Sequence, residues 1–537
     1  MLCPGDSFAG DGMVRAVEAG LRDYVVGEPG QQLLSQVLDE IKATFAIAGD
    51  GRPTTVRRTW LDTFDWRLYQ AGLTLQQVIS RSGPSELRLT GPGGLRLTAP
   101  AVRPRWPSLA DGLPPGPMRD RVARITGIRA LLPTGTAVSR VRELRLLNED
   151  EKTVARLVVD HMSLPAPVAV TLPIRLAVSE VRGYQAAARR ARRVLAGTAG
   201  VAPSRLTALD AALHAAGRQA ASYSGKVEVV LRPAMAGRDA VTAVLLEQLD
   251  TLEANVDGVL HDIDTEFLHD LRVAVRRTRS ALKLLGDVLP GEFTLRFASE
   301  FRWLGDLTTP MRDLDVHLLS FPLMRAGLVA ASPADLEPFH AFLIRRRSAE
   351  RRKLNRGLRS ARFASVVGDW RKALLGAQHQ PGATGGPRAD SLSADRIKRA
   401  HTRVIRLGSS ITDASPAENL HTLRKRGKEL RYVLEFFASL HDPELHQAVI
   451  GDLKRLQDCL GEFQDSEIER DEIQSLAAAM LAQQAAPAAT LLAMGELAAQ
   501  LAERQRRARA EFAQRFTEFG GILGQRRIAA LIAGGAG

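Results

Sequence analysis

Apolar positions divide the chain into two regimes. From Tyr24 to about Leu231 they fall in short, β-like runs separated by turn residues, at 54–61, 86–90, 95–98, 143–147, 155–159, 174–178 and 226–231. Runs of this length bounded by Gly, Pro and Asn predict strands. Two stretches with helical spacing interrupt them, 31–45 and 184–195, and the proline-rich 100–117 reads as a loop. Mostly antiparallel strands with flanking helices predict an α+β domain over 21–232, an antiparallel β-barrel or tunnel. After Arg232 the pattern changes. From Asp239 to about 517 the apolar spacing is helical, which predicts an all-α domain over 239–517. Residues 376–394, rich in Gly, Ala and Pro, read as a linker between halves at 239–375 and 395–517. Residues 1–20 read as a leader and 518–537 as a tail.

The helical region contains a polar stripe that occurs twice. His269, Arg272, Arg276 and Arg279 share their spacing with His421, Arg424, Lys428 and Arg431, a constant offset of 152 residues (269 to 421). At 100° per residue each set covers an arc of about 80° on one helix face. Leu271, Val275 and Leu282 lie beside the first arc, and Leu423, Leu430 and Leu434 beside the second. Each helix therefore carries an apolar stripe for a core and a cationic stripe next to it. A downstream block keeps the same offset, with Arg302, Asp306, Arg312 and Asp313 matching Lys454, Asp458, Gln464 and Asp465. Two blocks at one offset predict an internally duplicated helical bundle with approximate twofold symmetry, whose stripes can face each other across a groove. Clustered like charges repel unless an anion binds them. Arginine suits that task because its planar fork makes paired hydrogen bonds to phosphate oxygens.

Composition sharpens the picture. The formal net charge is +13 and the pI near 10.2, which points to acidic partners. Cys3 and Cys459 are the two cysteines, which excludes a disulfide framework and a cysteine-based zinc site. The N-terminal residues lack a signal-peptide pattern and no run of 18 apolar residues occurs, so the expectation is a soluble, cytoplasmic protein with no membrane partner. Aromatic content of 5% gives no platform for stacking bases, which disfavours specific nucleic-acid binding.

The paired His-x-x-Arg blocks, RWLGDLTTPMRDLDV from Arg302 and LKRLQDCLGEFQD from Leu453 resemble the CHAD family, the conserved histidine α-helical domain, over about 239–517. The resemblance implies two pseudosymmetric helical bundles whose basic central cavity binds inorganic polyphosphate. The residues it implies are His269, Arg272, Arg276, Arg279, Lys283, Arg302, Arg312, His421, Arg424, Lys425, Lys428, Arg431 and Lys454. Lys283 continues the first stripe, whereas the second has Glu435 at the matching place. The N-terminal half is similar to the CYTH family of triphosphate tunnel enzymes, on the block from Trp60 through Asp62, Thr63 and Gly72 to Leu75 and on the strand from Ile174.

Departures from that second family matter. Its catalytic members carry Glu-x-Glu-x-Lys on the first strand, and Leu21-Arg22-Asp23-Tyr24-Val25-Val26 does not. Gln76 and Gln77 follow Leu75 where arginines are usual, and Arg175 and Ala177 stand where late acids would help hold metal. Metal-assisted phosphoryl chemistry needs several carboxylates around a hard cation. The expectation is a degenerate CYTH-like domain without catalytic residues or cofactor, with Mg²⁺ or Mn²⁺ implied only if it acts as an inorganic triphosphatase. Arg57, Arg58, Arg88 and Arg96 are candidates for a residual basic tunnel. The leading reading is a polyphosphate-binding protein, localised in the cytoplasm or on polyphosphate granules. Homodimerisation is left open, and the alternatives are the triphosphatase and nucleic-acid binding.

Overall fold

The computed structural model describes residues 24–534 except 29, 49–52, 81–84, 101–104 and 379–385, so the expected leader lies outside the described residues. The chain divides into two compact units, Met1–Ser224 and Gly225–Gly537.

The N-terminal unit is built on one antiparallel sheet. Its strands are β1 (Tyr24–Val26), β2 (Ala46–Ala48), β3 (Thr54–Asp62), β4 (Thr74–Ser80), β5 (Glu86–Gly91), β6 (Leu95–Pro100), β7 (Leu132–Leu147), β8 (Thr153–Ser163), β9 (Arg175–Glu180) and β10 (Val201–Pro203). They lie in the order β10-β1-β9-β8-β7-β3-β4-β5-β6, with β2 also paired to β7. Among the described residues five helices accompany the sheet: α1 (Gly30–Lys42), α2 (Arg67–Gln70), α3 (Pro117–Thr126), α4 (Gln185–Gly197) and α5 (Ala208–Ala215). Period-two alternation places Leu87 and Leu89 of β5 with Leu61 and Leu75, under Met118 and Val122 of α3. Leu157, Val159, Leu176 and Val178 pack under Leu34, Val37 and Ile41 of α1 and Ala188 and Leu195 of α4.

Asp62, the acid of the block that resembles the tunnel family, organises a turn. Its Oδ1 accepts from the backbone N–H of Thr63 at 2.7 Å and of Leu68 at 2.9 Å, and its Oδ2 from that of Tyr69 at 2.8 Å. Thr63 Oγ1 accepts from the N–H of Arg67 at 2.9 Å. The side chains thus satisfy the N–H groups at the start of α2. Trp66 enters that helix at φ 59° and Gly72 leaves the turn at φ 70°, where a residue lacking Cβ is favoured. Burial pushes the Asp62 carboxyl up to about 6 against those three donors.

The C-terminal unit is helical: α6 (Gly237–His261), α7 (Thr265–Leu285), α8 (Gly291–Ala326), α9 (Glu337–Leu358), α10 (Ala361–Gln378), α11 (Ala389–Gly408), α12 (Ala417–Phe436), α13 (Pro443–Ala482), α14 (Ala488–Gly520) and α15 (Ile522–Gly534). The starts of α6, α7 and α8 precede those of α11, α12 and α13 by the repeat offset, and so does the 3-10 turn at Gly286–Val288 relative to Ala438–Leu440. An isolated antiparallel bridge joins Ala236 to Arg388, its own repeat equivalent. Gly237 N–H donates to Pro387 O at 2.8 Å and Ala389 N–H to Met235 O at 2.9 Å, each bond the image of the other. A residue paired with its own equivalent marks the pseudo-twofold axis.

A second symmetric feature ties α7 to α12. Arg277 pairs with Glu435 at 3.1 Å, and the image of that pair is Lys283 with Glu429 at 2.6 Å, the charges exchanged between the repeats. Arg277 also donates to Gly225 O at 2.7 Å.

Three sequence expectations are corrected. Residues 226–231 form no strand: Glu228 N–H donates to Glu247 Oε1 at 2.8 Å and Leu231 N–H to Ser439 Oγ at 2.9 Å, so helical side chains replace a strand partner. The linker placed at 376–394 is shorter, because α10 continues to Gln378 and α11 begins at Ala389, held by the bridge at the axis. The tail is helical as far as Gly534, because Ile528 and Leu531 are buried and Arg527 pairs with Asp452 at 2.6 Å.

Two outcomes follow. Asp62→Ala leaves several buried N–H groups without an acceptor, at roughly 1–3 kcal/mol for each unsatisfied group. Hydrogen–deuterium exchange should show the 62–73 segment losing protection while the helical unit keeps its own. Arg277→Ala should destabilise the helical unit by on the order of 2 kcal/mol, because it breaks a largely buried pair whose Glu435 keeps Arg431. Lys283→Ala, at an exposed cation, should cost about 0–1 kcal/mol. Urea denaturation compares the two, and equal losses would contradict the structural role given to Arg277.

Candidate functional site

Each cationic stripe lies on one helix of the pair that carries the axis, His269 to Arg279 on α7 and His421 to Arg431 on α12. Burial of Leu271, Val275 and Leu282 on α7, and of Leu423, Leu430 and Leu434 on α12, turns the apolar arcs into the core. The basic arcs remain beside it: Arg276 and Arg279 are exposed, and Arg272, Arg424, Lys428 and Arg431 are half-buried.

The two stripes converge at their third positions. Burial comes first in depressing the Lys428 ammonium to about 8, followed by the positive charges of Arg424 and Arg276, with Asp465 opposing and Arg431 adding to the effect. Arg276 is the repeat equivalent of Lys428. Arg276 and Lys428, equivalent positions of the two repeats, thus lie within electrostatic reach of each other. Burial, Arg276 and Arg312 likewise pull the Arg272 guanidinium down, against Asp313.

Helices α8 and α13 supply the flanks. Arg272 Nη1–H donates to Thr309 Oγ1 at 2.7 Å, and Arg312 Nη1–H to Thr265 O at 3.2 Å. Arg279 lies over Gly305: a Cβ there would come within 2.7 Å of its Nη1. Arg302, Gly305, Thr309 and Arg312 thus share the face of α8 that meets the first stripe. In the second repeat Arg424 pairs with Asp465 at 2.6 Å, Arg431 with Glu435 at 2.6 Å, and Arg431 reaches Gln457 Oε1 at 3.5 Å. The matched acids Asp313 and Asp465 therefore act on the +3 arginines of their own stripes.

The structure gathers Arg272, Arg276, Arg279, Arg312, Arg424, Lys428 and Arg431 along these faces. Arg302 and Lys454 are exposed on α8 and α13, and Lys425 is exposed beside the second stripe. His269 and His421 are half-buried at the stripe starts. Lys283 is engaged by Glu429 of the other repeat. Thr309, Gln457 and the Arg277–Glu435 pair escaped sequence reading. The repeat offset could have found that pair, since it aligns Arg277 with Glu429 and Lys283 with Glu435.

A family model of the CHAD domain matches residues 243–474. The helical unit carries a CHAD domain. Every expected site residue falls inside the matched span. The CHAD domain from the plant Ricinus communis is similar at 26% identity, covering 55% of this chain and 96% of its own, with a TM-score of 0.46. PptA from Streptomyces chartreusis is similar at 18% identity over 52% of this chain and 99% of its own, TM-score 0.40. The N-terminal unit also has similar solved structures. A Bacillus halodurans protein described as a candidate adenylate cyclase is 17% identical over 35% of this chain and 91% of its own, TM-score 0.25. No curated protein matches the sequence.

Outside the CHAD domain, the N-terminal unit does not fit the divalent metal that a tunnel enzyme implies. Its first described strand is Tyr24-Val25-Val26, with Tyr24 and Val26 buried in an apolar cluster. Among the described residues no three His, Cys, Asp or Glu side chains come together to hold a metal ion. Of the candidate tunnel arginines, Arg58 is paired with Asp160 at 2.7 Å and Arg88 with Glu86, while Arg57 and Arg96 are exposed. Among the described residues no helix is long and apolar enough to cross a membrane.

The Lys428 environment makes a stability prediction. Its folded pKa, about 8, lies below the ordinary lysine value, so between those two values the unfolded chain binds more protons and stability rises with pH. Below pH 8 the charged ammonium is held at a cost. Lys428→Met in the CHAD domain should therefore raise the melting temperature at pH 7, on the order of 2 °C for each kcal/mol relieved. A lowered melting temperature would show that Lys428 is held by favourable contacts instead.

Proposed function

We propose that the CHAD domain binds inorganic polyphosphate along the two converging stripes. The observation that carries this reading is the placement of matched cationic faces on the two repeat-related helices, Arg272, Arg276 and Arg279 on α7 and Arg424, Lys428 and Arg431 on α12, with Lys428 feeling the charge of Arg276 across the repeat. A repeating linear anion resolves that repulsion, because successive phosphoryl groups can be met by Arg272, Arg276 and Arg279 from one repeat and Arg424, Lys428 and Arg431 from the other. Arginine contributes forked hydrogen bonds and lysine a point charge. Asp465 and Glu435 are bound to Arg424 and Arg431 in the free protein, so the anion must displace or bypass them. Exposed Arg279, seated over Gly305 with no ion pair among the described residues, is the more open entry. The reading as a metal-dependent triphosphatase draws no support from the described residues of the N-terminal unit, among which no three His, Cys, Asp or Glu side chains come together.

Long-chain polyphosphate should bind the full chain with an affinity that falls steeply with salt. Six neutralised phosphates at roughly 0.7 each, the single-strand value, give a log–log slope of about −4. Arg276→Glu with Arg279→Glu, both at exposed positions, should lower affinity at least about 100-fold and flatten the slope while leaving the circular dichroism spectrum unchanged. Affinity within twofold of the parent would overturn the assignment.

Bound phosphate should also raise the Lys428 pKa, so binding takes up a proton above pH 8. Affinity should then decline as pH rises past 8, and Lys428→Arg should remove that decline.

A further inference from the structure

The basic run on α9 divides into two groups. Arg347 is structural, donating to Asp262 at 2.7 and 2.9 Å and to Asp315 at 2.5 Å. Arg351 approaches the same Asp262 at 3.5 Å, and Lys353 pairs with Glu350 at 2.7 Å. These pairs explain part of the cluster as folding chemistry.

Arg352, Arg356 and Arg359 are different. They are exposed, and among the described residues no carboxylate pairs with any of them. Arg352 and Arg356 stand one turn apart on one face of α9, and Arg359 caps the end of that helix, so the three span about 10 Å along its axis. With Asn355 they line a shallow cavity, largely open to solvent, of about 580 Å³. Asn355 fixes this stretch of α9, because its Nδ2–H donates to Leu260 O at 3.3 Å.

The cavity is not part of the stripe groove. Helix α9 packs on α8 at Leu307, where a Cβ on Gly357 would come within 2.4 Å of the leucine side chain. Gly305, which meets Arg279, is two residues from Leu307 and so lies about 200° away around α8. The two basic faces are on opposite sides of that helix.

We infer that Arg352, Arg356 and Arg359 form a second anion site, suited to a short phosphoryl chain of two or three units. Three fixed-charge forks without carboxylate partners present more donors than one phosphate can occupy, and their extent along α9 matches a short chain rather than a point anion. The chain can be an inorganic oligophosphate or the triphosphate tail of a nucleotide. The site stands independently of the polyphosphate reading, since no residue is shared.

Calorimetric titration of the full chain carrying Arg276→Glu and Arg279→Glu isolates it. Tripolyphosphate should still bind once per chain. Adding Arg352→Ala, Arg356→Ala and Arg359→Ala should weaken that event at least tenfold, and Arg356→Lys alone, a milder change that preserves charge, should weaken it severalfold by removing the fork. No binding in the stripe variant, or binding that the α9 substitutions leave intact, would overturn the inference. Orthophosphate binding as tightly as tripolyphosphate would overturn it as well. A nucleoside triphosphate that matches tripolyphosphate upholds the site and identifies the triphosphate tail as its ligand; one that binds tenfold more weakly upholds it with the inorganic chain as ligand. Loss of long-chain binding in the stripe variant tests the other groove alone.

Discussion

The helical unit depends on how like charges are handled where a repeat faces its own image. A twofold axis brings equivalent positions together, so any charged residue near it meets a residue of the same ancestral sign. The backbone makes use of this equivalence at Ala236 and Arg388, where one bond and its image close a symmetric bridge. For side chains the same geometry creates repulsion, which must be removed by divergence of one copy or by a counter-ion.

Both solutions occur on the same two helices. At positions 277/429 and 283/435 the copies have diverged in opposite directions, giving Arg277–Glu435 and Lys283–Glu429 across α7 and α12. The exchange of sign keeps both bridges attractive in the absence of ligand. At the immediately preceding positions Arg276 and Lys428 keep the same sign, and burial with neighbouring cations depresses the lysine. The contrast is informative because both solutions were open to each position. Divergence joins the helices through buried Arg277 and Glu429 and their partners, and charge is retained at the neighbouring positions 276 and 428.

Much of this arrangement was legible in the residues. The offset between the stripes survives because a buried apolar face and an adjacent polar one must both keep helical phase, and the repeat starts at Gly237, Thr265 and Gly291 reproduce it. The charge exchange at 277 and 435 was not read, because attention to shared cations hides a pair whose signs differ between copies. The run 226–231 has strand-like alternation but finds hydrogen bonds on helices, and only tertiary structure distinguishes those partners. In the N-terminal unit Asp62 was visible as a motif residue, but its task of holding three backbone N–H groups depends on the turn through Trp66 and Gly72.

The asymmetry between the repeats also limits the footprint of an anion on the stripes. Glu429 and Glu435, at +8 and +14 of the second stripe, are already bound to cations, so a polyanion extending there meets carboxylates. Asp465 covers Arg424 in one repeat, whereas Arg272 in the other bonds to the neutral hydroxyl of Thr309. Arg431 is tied to Glu435, while Arg279 rests over a glycine without an ion pair among the described residues. The first repeat therefore offers cations at lower cost, and the second offers them only after an internal carboxylate is displaced. On the proposed reading, binding that begins at Arg279 and proceeds through Arg276 to Lys428 meets the least competition first, and it reaches these like-charged residues before it must break any intramolecular salt bridge.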